Sequence, residues 1–135
     1  MKKVILFAVI TCLSASTTTA SLFPSDAIQE AERFVSLIDN QEYQTAYQAT
    51  SNLLRLTTTE DEWIDNREVS AALLGEVLER ELVSVKERDH YPGLPDGDYL
   101  IVYFEARTEL KKAAAEVLLL TKDVHQWAIC KYRLK

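Results

Sequence analysis

The chain is short of the residues that carry most recognisable chemistry. Its 135 residues include two cysteines, two histidines, three glycines and three prolines, and its 15 basic side chains face 21 acidic ones. Phosphate backbones require a basic face, and with this acidic balance the expectation is no nucleic-acid partner. No HExxH, CxxC or nucleophile-elbow pattern is present, and His90 and His125 stand apart from one another. Two isolated imidazoles and one downstream cysteine make no zinc set. Asp96-Gly97-Asp98 resembles a fragment of a calcium loop but lacks the later acidic ligand. The expectation is therefore no metal and no cofactor. Long apolar runs are missing as well: the longest, Val4 to Leu13, is about half of what a membrane-spanning helix needs.

That run nevertheless has a meaning. It follows Met1-Lys2-Lys3 and leads into small residues from Ser14 to Ala20, the three parts of a secretory signal peptide. Residues 1–20 are read as the leader, with cleavage after Ala20 or, in competition, after Ser16, and residues 21–135 as one domain, periplasmic or secreted and without a membrane span. Thr11 before Cys12 is larger than the residue that usually precedes a lipidated cysteine, which argues against a lipoprotein. Removing Lys2 and Lys3 takes the formal charge from −6 to −8. Cys130 is then the one cysteine left in an oxidising compartment, so no internal disulfide can form and stability must come from packing. A small buried apolar role for Cys130 stands beside the alternative of an intermolecular bridge or reactive thiol.

Asp26 with Gln29 forms a capping arrangement, and Ala27, Ala31, Phe34 and Ile38 make an apolar stripe at spacings of four, three and four. A first helix follows, ending at Asp39-Asn40. A second, short helix carries Tyr43, Ala46 and Tyr47 and runs out in Thr50-Ser51-Asn52. Thr59 to Glu62 is a stronger capping box and opens a third helix, with Trp63 and Ile64 on its apolar side, Arg67 snorkelling beside the indole, and Gly75 at its end.

Apart from Pro24, the glycines and prolines that remain crowd into Pro92-Gly93, Pro95 and Asp96-Gly97, where the chain must turn. A strand is expected before them from about Leu82. After them, Tyr99 to Phe104 has the composition of a central strand, with Leu100, Val102, Phe104 and Ala106 on the core face beneath Phe34. Tyr99, Ile101 and Tyr103 then fall on the opposite face, joined by Trp127 or Ile129 from a last strand over Gln126 to Leu134. They are either an exposed interface or a region covered by the chain's own segments. Between Glu105 and Lys122, periodicity alone leaves helix and paired strands open.

The run Phe34 to Asp39, Trp63 and Arg67, Leu74-Gly75, Arg80, Leu94-Pro95-Asp96-Gly97-Asp98-Tyr99, Glu116, Trp127 and Tyr132 together resemble domain-of-unknown-function family 4019 across nearly all of residues 21–135. Two features depart from the family pattern: Asp123-Val124-His125-Gln126 replaces its usual Asp-Gly hairpin, and Lys131 stands where a small residue is common. The resemblance implies an exported bacterial α+β domain. It would have three N-terminal helices packed on a curved antiparallel sheet of about four strands, similar to the nuclear-transport-factor-two-like cone, with strands rather than a helix across 105–122. It implies no activity, because such folds host many functions.

Two functional readings remain. The first is a non-enzymatic domain that binds a small apolar ligand in the cone interior, or a protein partner or second copy through the outer face around Tyr99, Ile101, Tyr103 and Trp127. The second is a pocket enzyme in which His90, adjacent to Asp89, acts as base while Tyr43, Tyr47 and Asp65 line the mouth. The leader reading has a direct check: N-terminal sequencing of the extracytoplasmic protein should begin at Ser21, or at Thr17 if cleavage follows Ser16, and a retained Met1 would refute it.

Overall fold

The computed structural model describes residues 24–135, so the leader expected over residues 1–20 lies outside the described residues. Four helices come first: α1 (Ser25–Asp39), α2 (Tyr43–Gln48), α3 (Asn52–Thr57) and α4 (Glu60–Leu74). Four strands follow, β1 (Val77–Arg88), β2 (Tyr99–Thr108), β3 (Ala114–Asp123) and β4 (Gln126–Leu134), forming an open antiparallel sheet in that order. The α+β class and the four-strand sheet are as expected.

The capping box of α4 forms as read: the Glu62 N–H donates to Thr59 Oγ1 at 3.3 Å, and the Thr59 N–H donates to Glu62 Oε2 at 3.1 Å. Gly75 ends the helix at φ 72, and a Cβ there would lie 2.8 Å from the Glu109 Cβ, so position 75 needs glycine on two grounds. The expected cap of α1 does not form. Pro24 occupies the cap position without a side-chain bond, and Asp26 accepts instead from the adjacent Ala27 N–H. One further helix, α3, is present where the polar Thr50-Ser51-Asn52 suggested only an ending. Ser51 caps it by accepting from the Leu54 N–H, so the same polar residues close one helix and open the next.

The stretch over 105–122 is strand, turn and strand. Ala106 pairs with Ala114 and Tyr99 with Thr121, and the turn closes through the Thr108 N–H and the Lys111 carbonyl. β1 begins five residues earlier than expected because its register slips at Leu78 and again at Val83. Each slip inserts an unpaired residue and breaks the two-residue alternation by which strands are recognised.

A third slip, at Cys130, reorganises β4: Lys131 pairs with Leu119, but Ile129 pairs with Leu120. It turns Trp127 and Ile129 to the helix side. This corrects the expectation that Trp127 accompanies Tyr99, Ile101 and Tyr103, because Trp127 packs against the opposite cluster.

That cluster is the main core. Phe34 is fully buried, together with Leu100, Val102, Leu118, Leu120 and Ile129, and its ring meets Trp63 and Tyr132 edge-on with centroids 6.1 and 5.5 Å apart. The even-numbered residues of β2 do line this face. A smaller cluster lies outside the sheet: Tyr99, Ile101, Leu119 and Cys130, covered in part by Leu53 of α3 and by Tyr91 and Leu94 of the β1–β2 loop. Replacing Phe34 by Ala should cost about 3 to 5 kcal/mol in urea unfolding; a midpoint unchanged from the parent would show that the ring is not the keystone of the core.

Candidate functional site

The inner face carries one buried charge group. Arg80 pairs with Ala106 across β1 and β2, and Ala106 pairs in turn with Ala114, so two small residues leave room for a guanidinium to extend over the sheet. It reaches Glu116 on β3, whose side chain has no exposed surface, with Nε donating to Oε2 and Nη2 to Oε1. Its remaining edge donates to both oxygens of Asp39, the last residue of α1, at 2.7 and 2.9 Å. Tyr132 on β4 donates its hydroxyl to Glu116 Oε1 at 2.7 Å. Burial alone would lower the Arg80 pKa; the hydrogen bonds to Asp39 and Glu116 outweigh it, and the net shift is upward. Burial first, and then the Glu116 charge, push the Tyr132 hydroxyl well above the usual tyrosine range, so it remains a donor.

Arg67 of α4 stands beside this group, its guanidinium 5.5 Å from the Trp63 ring centre and 4.8 Å from that of Tyr132. The place beside the indole is as expected, but the guanidinium lies partly buried between the two rings instead of snorkelling to solvent. Burial lowers its pKa, and among the described residues its Nε has no acceptor. Arg67 lines two cavities. One, of about 360 Å³, lies at the ends of α1 and α4, where Asp39, Tyr43, Glu109 and Tyr132 surround it. The other, of about 630 Å³, runs along the outside of β4, with Ile101, Tyr103, Val117 and Leu119 as an apolar floor and Lys131 and Arg133 at its margin.

The four residues read as an acid–base set are not assembled. His90 is exposed in the β1–β2 loop, and its imidazole bonds Asp96 at 2.8 Å rather than the neighbouring Asp89. Loop closure explains the exchange, since the Gly97 N–H donates to the Asp89 carbonyl and folds Asp96 back over His90. Tyr43 lines the smaller cavity. Tyr47 is buried in the core, its hydroxyl donating to the Thr58 carbonyl at 2.7 Å, and Asp65 is exposed on α4. Among the described residues no group of three or more His, Cys, Asp or Glu could hold a metal ion, and no helix is long and apolar enough to cross a membrane.

The outer-face residues are divided by the loop. Tyr99 and Ile101 are buried beneath Tyr91 and Leu94, with the Tyr99 hydroxyl donating to the Pro95 carbonyl, while Tyr103 and Val117 stay partly open. Lys86 lies 5.4 Å from the Tyr103 ring centre and Lys131 4.9 Å from that of Tyr91. Trp127, by contrast, stands on the inner face with its indole nitrogen buried and without an acceptor. Burial pushes the Cys130 thiol up to about 12, which leaves it a protonated, packed side chain. Reading from the sequence missed the ion group centred on Glu116 and the cationic margin of β4. For the latter the signal was present as Lys131, Arg133 and Lys135 at alternate positions.

A family model described as "Protein of unknown function (DUF4019)" matches residues 30–132. No curated protein matches the chain. Among solved structures, one described as a known function protein from Kribbella flavida DSM 17836 superposes with a TM-score of 0.51 at 13% identity, covering 83% of this chain and 87% of that one. At that identity the likeness shows a shared fold and nothing about activity.

Replacing Glu116 by Ala should cost about 3 kcal/mol in urea unfolding, because it leaves Arg80 with Asp39 alone and the buried Tyr132 hydroxyl without its acceptor. A loss well under 1 kcal/mol would show the group to be ornamental.

Proposed function

The chain belongs to the DUF4019 family, whose function is unknown, and from that premise we propose that it is an exported, non-catalytic domain that docks a protein partner through the outer face of its sheet. The carrying observation is the groove in which Tyr103 and Val117 remain partly open on a floor completed by Ile101 and Leu119, with basic side chains at its margin. An apolar centre with a polar rim is the usual anatomy of a docking surface. On the helix side Phe34, Leu100, Leu118 and Leu120 fill the centre, and the space that remains is the smaller cavity bordered by the charged Asp39, Arg67 and Glu109. A filled interior argues against a small apolar ligand inside the cone. The dispersal of His90, Tyr43, Tyr47 and Asp65 removes the support for an acid–base pocket. Export rests on the leader reading of residues 1–20, whose removal would present this surface to partners outside the cytoplasm.

Tyr103→Glu tests the reading. Lys86 already sits over the ring, so the new carboxylate has a cation beside it and the fold should persist by circular dichroism. The expected result is loss of assembly by light scattering, or loss of a partner that co-purifies with the parent. A variant that assembles and co-purifies like the parent, or that unfolds because position 103 is private core, would end the proposal.

A further inference from the structure

We infer that the open edge of β4 takes up an extended acidic segment of the partner as a fifth strand. The inference rests on the partner-binding reading above and adds the chemistry of what is bound. β4 is the last strand of the sheet. Lys135 and Ala115 exchange both backbone hydrogen bonds, at 2.9 and 3.0 Å. By the alternation of an antiparallel ladder, the N–H and C=O groups of Arg133 and Lys131 also point toward β3, and those of Tyr132 and Leu134 point away from it. Among the described residues no backbone group pairs with the outward set. The same edge is already used one step further along: the Ser51 N–H donates to the Ile129 carbonyl at 2.8 Å, and Thr50 forms a bridge with Ile129. The chain then turns into α3 and leaves the rest of the edge free. The smaller cavity takes the inward side chains Tyr132 and Leu134, the larger one the outward Lys131 and Arg133, and Arg67 lines both.

Charge identifies the occupant. The larger cavity is lined by Arg67, Lys131, Arg133 and Lys135 and by no Asp or Glu, in a chain whose acids outnumber its bases. Lys131, Arg133 and Lys135 stand at alternate positions on one face, about 7 Å apart, the spacing of carboxylates at alternate positions of another extended chain. A second β4 would set these cations against their own copies, which like charges on paired strands oppose. An acidic strand meets them in register. Arg67, on the helix wall and without an acid of its own, is placed to take a further carboxylate. This is strand addition in which backbone bonds supply affinity and alternate side chains supply selection.

The test uses a labelled peptide of about ten residues alternating aspartate and valine, a peptide of the same composition with its aspartates contiguous, and alternating peptides N-methylated at every second residue in either register, all measured by fluorescence anisotropy. The alternating peptide should bind at least about tenfold more tightly than the block peptide and weaken by a similar factor with Lys131→Glu plus Arg133→Glu; both positions are exposed, so the fold should survive. Methylation in one register should abolish binding. Equal binding of the alternating and block peptides, or full binding of both methylated forms, overturns the inference. Absence of binding by the alternating peptide also overturns it, even where Tyr103→Glu disperses an assembly, a result that would leave the face reading intact. Alternating-peptide binding with no response to Tyr103→Glu would support the edge and remove the face.

Discussion

A carboxylate with no exposed surface, Glu116, sets the terms for the rest of the molecule. Taking such a charge out of water is costly unless cations and donors replace the solvent, and here Arg80 and Tyr132 do so. Arg80 comes from β1, Glu116 from β3 and Tyr132 from β4, so one interaction spans the sheet. Asp39 extends it to the end of α1. With that helix end held over the sheet, Phe34 projects into the centre and meets Trp63 and Tyr132, and the helix side closes around it. Alanines at 106 and 114 are the concession in packing that lets the guanidinium through.

Filling the helix side decides where interaction can occur. Beyond the small charged cavity at the ends of α1 and α4, what stays open is the outer face and the margin of β4, and both are shaped by irregularities of pairing. The slip at Cys130 sends Trp127 and Ile129 inward while Lys131 and Arg133 point outward, so one strand contributes its apolar half to the core and its basic half to the groove. Without the slip, both halves would share one face, and either Trp127 and Ile129 would sit in water or Lys131 and Arg133 would be buried in the core. The Pro- and Gly-rich loop completes the division by covering Tyr99 and Ile101 and leaving Tyr103 open.

The charge distribution follows the same logic. An acidic protein that gathers Lys131, Arg133 and Lys135 along one strand has departed from its own average at that place. On an exposed sheet edge, positive charge deters self-association and at the same time favours an acidic partner. The two effects are compatible, because each is a statement about which strand can approach.

By itself the sequence determined whatever depends on neighbours within a turn or two of the chain. The stripe of α1 through Ala27, Ala31, Phe34 and Ile38, the capping box at Thr59 and Glu62, the stop at Gly75, the loop at Pro92 to Gly97 and the alternating β2 are all local in cause and appear as read. The resemblance to the family supplied the strands across 105–122, which propensity left open. Tertiary structure decided the remainder. α3 depends on Ser51 serving as a cap while its N–H is held by Ile129, a residue 78 positions away. The early start of β1 and the inward turn of Trp127 depend on slips of register, which no two-residue pattern can announce. The partner of His90 was Asp96 rather than Asp89 because adjacent side chains diverge while a closed loop brings distant ones together. Glu116 was one acid among 21 until folding surrounded it: burial is a property of everything else in the chain, and the cost of burying a charge is what selects its partners.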